Sequence, residues 1–172
     1  MWRAFGVGAA AGLVWGVVAR GFMRLLAEVP EFSWAGTLGI IGVAMVVGGA
    51  VGLVRRARTD GRSRWWRLVA LPFVLLFTAA GALFLPGALG IAASRRGGWF
   101  LRVVGALLVG VSVWAVVDES LGVPPARQAL GLLIAFGCLA VEGWALGEVV
   151  RRWAPRPARV VEPGLSPAGL PA

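Results

Sequence analysis

The amino-acid sequence predicts an all-α fold, a polytopic transmembrane helical bundle built from five apolar helical segments. Three observations carry this. The apolar fraction is 59%, against about 45–50% in soluble domains. The apolar residues collect in long runs with few or no charges, the pattern of membrane-spanning segments. All 17 basic residues are arginines, placed largely in clusters between those runs. At 172 residues the chain has the length of one domain. The transmembrane part is expected over 1–153, followed by a Pro-rich tail.

The first segment, about 4–29, opens with an uncharged run from Ala4 to Ala19. Its sixteen residues make about 24 Å of helix at 1.5 Å each. The helix is expected to continue past Arg20 and Arg24 until Pro30 stops it. A signal peptide is the rival reading, because Val17-Val18-Ala19 resembles a cleavage site. The very short basic stretch before the apolar run, and the helical pattern after Arg20, favour a retained helix.

The second segment, 35–54, is twenty residues without a charge, with Ser33 placed to cap its start. Arg55, Arg56, Arg58, Arg62, Arg64 and Arg67 follow around a Thr59-Asp60-Gly61 turn signal. Trp65 and Trp66 suit a membrane interface. The third segment, 68–94, is also uncharged and contains Pro72, Gly81, Pro86, Gly87 and Gly90. Its 27 residues exceed one span but fall short of the roughly 40 that two spans need. The fourth segment, 99–117, carries Arg102 near its start. The fifth, about 128–150, holds Glu142 and ends at Arg151-Arg152. The tail, 154–172, has five prolines and no apolar period, so disorder is expected there.

Two topologies remain open. If all five segments span, the arginines divide eight against nine between the two sides, with no orientational bias. If 68–94 instead enters and leaves on one side as a re-entrant hairpin bent at Pro86-Gly87, the division becomes fourteen against three. Backbone exposed by such a bend must be buried in protein or face a wet cavity. Both topologies place the 55–67 loop in the cytoplasm of a bacterial plasma-membrane protein.

Composition excludes much chemistry. There is no His, Lys or Tyr. His-dependent nucleophilic couples, His-ligated zinc and haem, Schiff bases and Ser-Lys dyads are therefore out of reach. The single Cys138 permits no disulfide within the chain. No cofactor is implied. The net charge of +9 does not point to nucleic acid, because no soluble basic domain carries it. Arginines beside membrane segments set orientation and attract anionic headgroups. Arg55, Arg56, Arg58, Arg62, Arg64 and Arg67 are the expected anionic-lipid contacts.

Gly8, Gly12, Gly16, Arg20, Arg24 and Glu28 repeat every four residues and form a winding stripe on one helix. The glycines permit close approach of another helix. Arg20, Arg24, Glu28 and Glu31 form a candidate polar cluster at the outer end. Glu142 is a costly carboxylate inside an apolar segment. Its helical neighbours Gly131, Ala135, Cys138 and Ala145 are small, so it should face the bundle. It is expected to pair with Arg102 from an adjacent antiparallel helix, or to serve as a proton or cation relay. An Arg20–Glu142 contact fits five spans only, because the hairpin puts the two in opposite halves of the membrane. Gly48, Gly52, Gly143 and Gly147 also match small-xxx-small spacing, a weak signal among 26 glycines.

Two stretches, Trp15-Gly16-Val17-Val18-Ala19-Arg20-Gly21-Phe22-Met23-Arg24-Leu25 and Pro30-Glu31-Phe32-Ser33-Trp34-Ala35-Gly36-Thr37, together resemble a family of small, uncharacterised integral membrane proteins of high-GC Gram-positive bacteria. The resemblance covers roughly the first forty residues. Ala35 and Gly21 depart from the commoner residues at those places. The resemblance implies location and architecture but no activity. It directs attention to Arg20, Arg24, Glu31, Ser33, Trp34 and Thr37. The expected role is non-enzymatic: a structural or interaction membrane protein that meets lipids, copies of itself or a partner subunit. The alternative is a small transporter or channel using Glu142 and buried arginines.

Overall fold

The computed structural model describes residues 1–27, 32–77 and 82–153. Every regular element among them is helical: α1 (Trp2–Leu26), α2 (Trp34–Thr59), a 3-10 helix (Arg64–Phe77), a short 3-10 turn (Ala82–Phe84), α3 (Leu85–Ser94), α4 (Trp99–Glu119) and α5 (Pro125–Val150). Four of these, α1, α2, α4 and α5, are long and apolar enough to cross a membrane. Their outer faces present Val7, Val14, Leu107, Trp114 and Leu133 as exposed side chains. Such continuous apolar cover suits hydrocarbon rather than water.

Local signals explain the helix ends. Ser33 takes extended backbone before α2, and its Oγ accepts a hydrogen bond from Gly36 N at 3.2 Å. Gly97 and Gly98 turn the chain into α4 with φ of +87° and +89°, angles that cost a side chain far more than they cost glycine. α2 runs through Arg55, Arg56 and Arg58 to Thr59, past the end of its uncharged run. The helix therefore continues for five residues past the uncharged run.

α1 and α2 form a close antiparallel pair. Gly8 meets Gly48, Gly12 meets Ala44, and Gly52 meets Ala4, each backbone against backbone. Lipid tails are as apolar as the helices, so only close contact favours association. The weak spacing signal at Gly48 and Gly52 is therefore the counterpart of the α1 glycine stripe. A second close crossing sets Gly90 of α3 against Gly105 of α4.

The 68–94 stretch is not one helix. It descends as a 3-10 helix carrying Pro72, with Phe73 packed on Val47 and Val51 of α2. Phe84 packs edge-on against Phe22 of α1, with 5.4 Å between ring centroids. α3 then returns for ten residues, about 15 Å. The expected bend at Pro86-Gly87 lies too late in the chain. Pro86 sits in the first turn of α3, where its missing N–H costs nothing, so it starts a helix and does not bend one. Gly87 N, an orphan donor at this helix start, is satisfied by Ser112 Oγ of α4 at 2.8 Å.

Both ends of this stretch reach the same end of α5. Arg67 donates to the Arg151 carbonyl at 2.7 Å, and Arg96 donates to the Val150 carbonyl at 3.2 Å. α3 runs parallel to α5, with Gly87 beside Leu139, Gly143 beside Ile91 and Gly147 beside Arg95. It also separates α5 from α4. The main core is formed by Ala19, Phe22, Phe84, Ala88, Val116, Ala135, Cys138 and Leu139, where α1, α3, α4 and α5 meet.

Candidate functional site

Two features stand out: a basic end held by buried polar contacts, and an apolar groove that opens beside it. At the basic end, Arg58 reaches from α2 to α5. Its two terminal nitrogens donate to Glu148 Oε2 at 2.5 Å and to the Glu148 carbonyl at 2.7 Å. Arg151 adds a contact to Glu148 Oε1 at 3.4 Å. The Arg58 and Glu148 side chains are 14% and 7% exposed, so bulk solvent screens this pair little. Trp153 donates its indole N–H to the Arg62 carbonyl at 2.5 Å and lies under the Arg67 guanidinium. The loop after α2 is thereby tied to the end of α5.

These contacts sort the six arginines expected to meet lipid. Arg58 and Arg67 are half-buried and used internally. Arg58 bonds to the carboxylate and carbonyl of Glu148, and Arg67 to the Arg151 carbonyl just past α5, so both guanidinium groups tie the loop after α2 to that end of the bundle. Arg55, Arg56, Arg62 and Arg64 remain exposed. Arg56 also pairs with Asp60 at 3.1 Å.

Glu142 is buried and faces the bundle, as its small neighbours require, but its expected pairing with Arg102 does not form. Arg102 is exposed near the start of α4, and α3 stands between α4 and α5. The expectation treated those two helices as neighbours; α3 packs against both and takes most of the place between them. Among the described residues the ion pairs are Arg56–Asp60, Arg58–Glu148 and Arg151–Glu148. Glu142 Oε2 and the Trp15 indole N–H are buried without hydrogen-bond partners. Arg20 does not meet Glu142 either. It lies toward the opposite end, where its Nε donates to Thr37 Oγ1 at 3.1 Å.

The expected cluster of Arg20, Arg24, Glu28 and Glu31 is only partly visible, because Glu28 and Glu31 lie outside the described residues. Arg24 stacks over Phe32 at 5.0 Å. Arg127 donates to the Arg24 carbonyl at 3.1 Å. Thr37 Oγ1 in turn donates to the Ser33 carbonyl at 2.8 Å. Arg20, Ser33 and Thr37 thus form one hydrogen-bonded chain joining α1 to the start of α2.

Sequence reasoning missed Glu148. Its signal was a carboxylate three residues before Arg151, at the end of an apolar run whose exit side is rich in arginine.

The groove has a volume of about 600 Å³ and lies between α1, α2, α5 and the 3-10 helix. Val7, Ala11, Val47, Val51, Phe73 and Val141 make its walls, and Trp15 and Glu142 lie at its inner limit. Arg3, Arg55 and Arg56 stand at its mouth. A smaller cavity of about 340 Å³, bounded by Met1, Arg3, Ala4 and Arg56, adjoins that mouth. The sequence matches no family model, and no curated protein or solved structure matches it.

Proposed function

We propose that the chain is a multi-pass protein of the bacterial plasma membrane, with four spanning helices and a re-entrant segment between Arg64 and Ser94. Its basic end faces the cytoplasm. It acts without catalysis, through contacts with anionic lipids and with neighbours in the membrane. The observation that carries this reading is the meeting of Arg67 and Arg96 at the last carbonyls of α5. A segment crossing the bilayer would hold those residues about 30 Å apart.

The arginines agree. Arg3, Arg55, Arg56, Arg58, Arg62, Arg64, Arg67, Arg95, Arg96, Arg102, Arg151 and Arg152 belong to the basic end, against Arg20, Arg24 and Arg127 at the other. Such asymmetry orients a bundle with the basic end inward. The exposed guanidinium groups there favour anionic lipid by about 1 kcal/mol each.

The test is a cysteine-accessibility map in a Cys138→Ala background, with single cysteines at Asp60, Arg96 and Gly122. An impermeant thiol reagent applied outside intact cells should label position 122 alone. Labelling of 96 without 60 means that the third segment crosses.

A further inference from the structure

Resting on that membrane placement, we propose that the groove seats one acyl chain of an anionic phospholipid from the adjoining leaflet, with its phosphodiester held by Arg3, Arg55 and Arg56. Length is the first argument. From Arg3 to Trp15 the groove follows α1 for about 18 Å at 1.5 Å per residue. Half of a roughly 30 Å hydrocarbon core is about 15 Å. The groove therefore runs from headgroup level to near the bilayer centre, the reach of one lipid chain. A spanning helix from a second copy needs a lane across the full thickness, and the lining ends at Trp15 and Glu142.

Charge is the second argument. Arg3 and Arg55 are exposed and have no ion-pair partner among the described residues. Arg56 shares its charge with Asp60 at 3.1 Å, and Arg55 also feels the nearby Glu148 carboxylate, which Arg58 and Arg151 already pair. Guanidinium forks match phosphate oxygens in geometry as well as charge. The smaller cavity shares Arg3, Ala4 and Arg56 with the groove, so the two spaces adjoin at the basic end, where a headgroup would lie. Gly8, Gly12, Gly48 and Gly52, which bring α1 and α2 together, also line the groove.

The experiment is native mass spectrometry of the full chain in mild detergent, titrated with phosphatidylglycerol, phosphatidylcholine or water-soluble glycerophosphoglycerol. The expected result is one tightly held phosphatidylglycerol and no comparable phosphatidylcholine. Arg3→Gln with Arg55→Gln should weaken it about 30-fold, the effect of two guanidinium contacts. Ala11→Phe, which fills the groove and leaves the mouth intact, should weaken it at least tenfold. Arg62→Gln with Arg64→Gln should leave that lipid in place.

Equal loss from the Arg62/Arg64 pair would replace the groove site with diffuse attraction, while the membrane reading stands. Unchanged binding in Ala11→Phe, or glycerophosphoglycerol competing as tightly as the lipid, would overturn the seated chain. A dimer mass that excludes lipid would give the groove to a second copy. Indifference to headgroup charge throughout would sink both this site and the lipid reading above.

Discussion

Arg58 ties α2 to α5 through two hydrogen bonds, and its removal should destabilise the bundle measurably. Replacing it with alanine deletes both the contact to Glu148 Oε2 and the one to the Glu148 carbonyl. Glu148, 7% exposed at its side chain, is left with Arg151 at 3.4 Å alone. Breaking a buried pair from one side costs about 3–5 kcal/mol. The residual Arg151 contact places Arg58→Ala at the lower part of that range. Glu148→Ala should cost less, about 2 kcal/mol, because the backbone carbonyl still accepts from Arg58 and one charged hydrogen bond is worth about 1.5–3 kcal/mol. The double variant should fall short of the summed losses by about 1.5–3 kcal/mol. Reversible unfolding in bicelles, read by a steric trap on α2 and α5, measures all three. Losses that add to within about 0.5 kcal/mol would mean the two groups do not interact and that α5 is held to α2 by packing alone.

Other substitutions probe separate parts of the structure. Gly48→Val drives a side chain into the Gly8 backbone and should destabilise by at least about 1–3 kcal/mol, whereas Gly110→Val, with open space around it, should change stability by under about 0.5 kcal/mol in the same assay. Ser112→Ala leaves Gly87 N unsatisfied at the start of α3 and should cost about 1–3 kcal/mol, visible as faster hydrogen exchange in residues 85–94. Glu142→Met removes a buried carboxyl with an unpartnered oxygen, so unfolding should show neutral or increased stability. A marked loss there would reveal a partner for Glu142.

The four long helices were legible because each is a strongly apolar run with few charges, near the length that hydrocarbon demands. The α1 stripe was legible because glycines at every fourth position have few other uses in a membrane helix. The broken third segment was legible only as a length anomaly and a charge imbalance. Where it turns was not, because Pro86 reads equally as a bend or as a helix start. The Arg102–Glu142 pairing failed for a related reason. Segments consecutive in sequence were treated as neighbours, and α3 came between them. Glu148 escaped notice beside the more conspicuous Glu142, although depth decides their roles. A carboxylate within a turn of the basic end meets guanidinium, whereas Glu142, nearly two turns deeper, is buried with one carboxylate oxygen unpartnered.

The central claim is that the chain between Arg64 and Arg96 leaves and returns to one face of the membrane. Spin labels on cysteines at those two positions, with Cys138→Ala and the protein in lipid nanodiscs, measure it by pulsed electron resonance. The account gives a separation well below the roughly 30 Å hydrocarbon thickness, with labels at Arg96 and Gly122 farther apart than that. A separation of about 30 Å or more between positions 64 and 96 would show that the segment crosses, and the re-entrant architecture would fall.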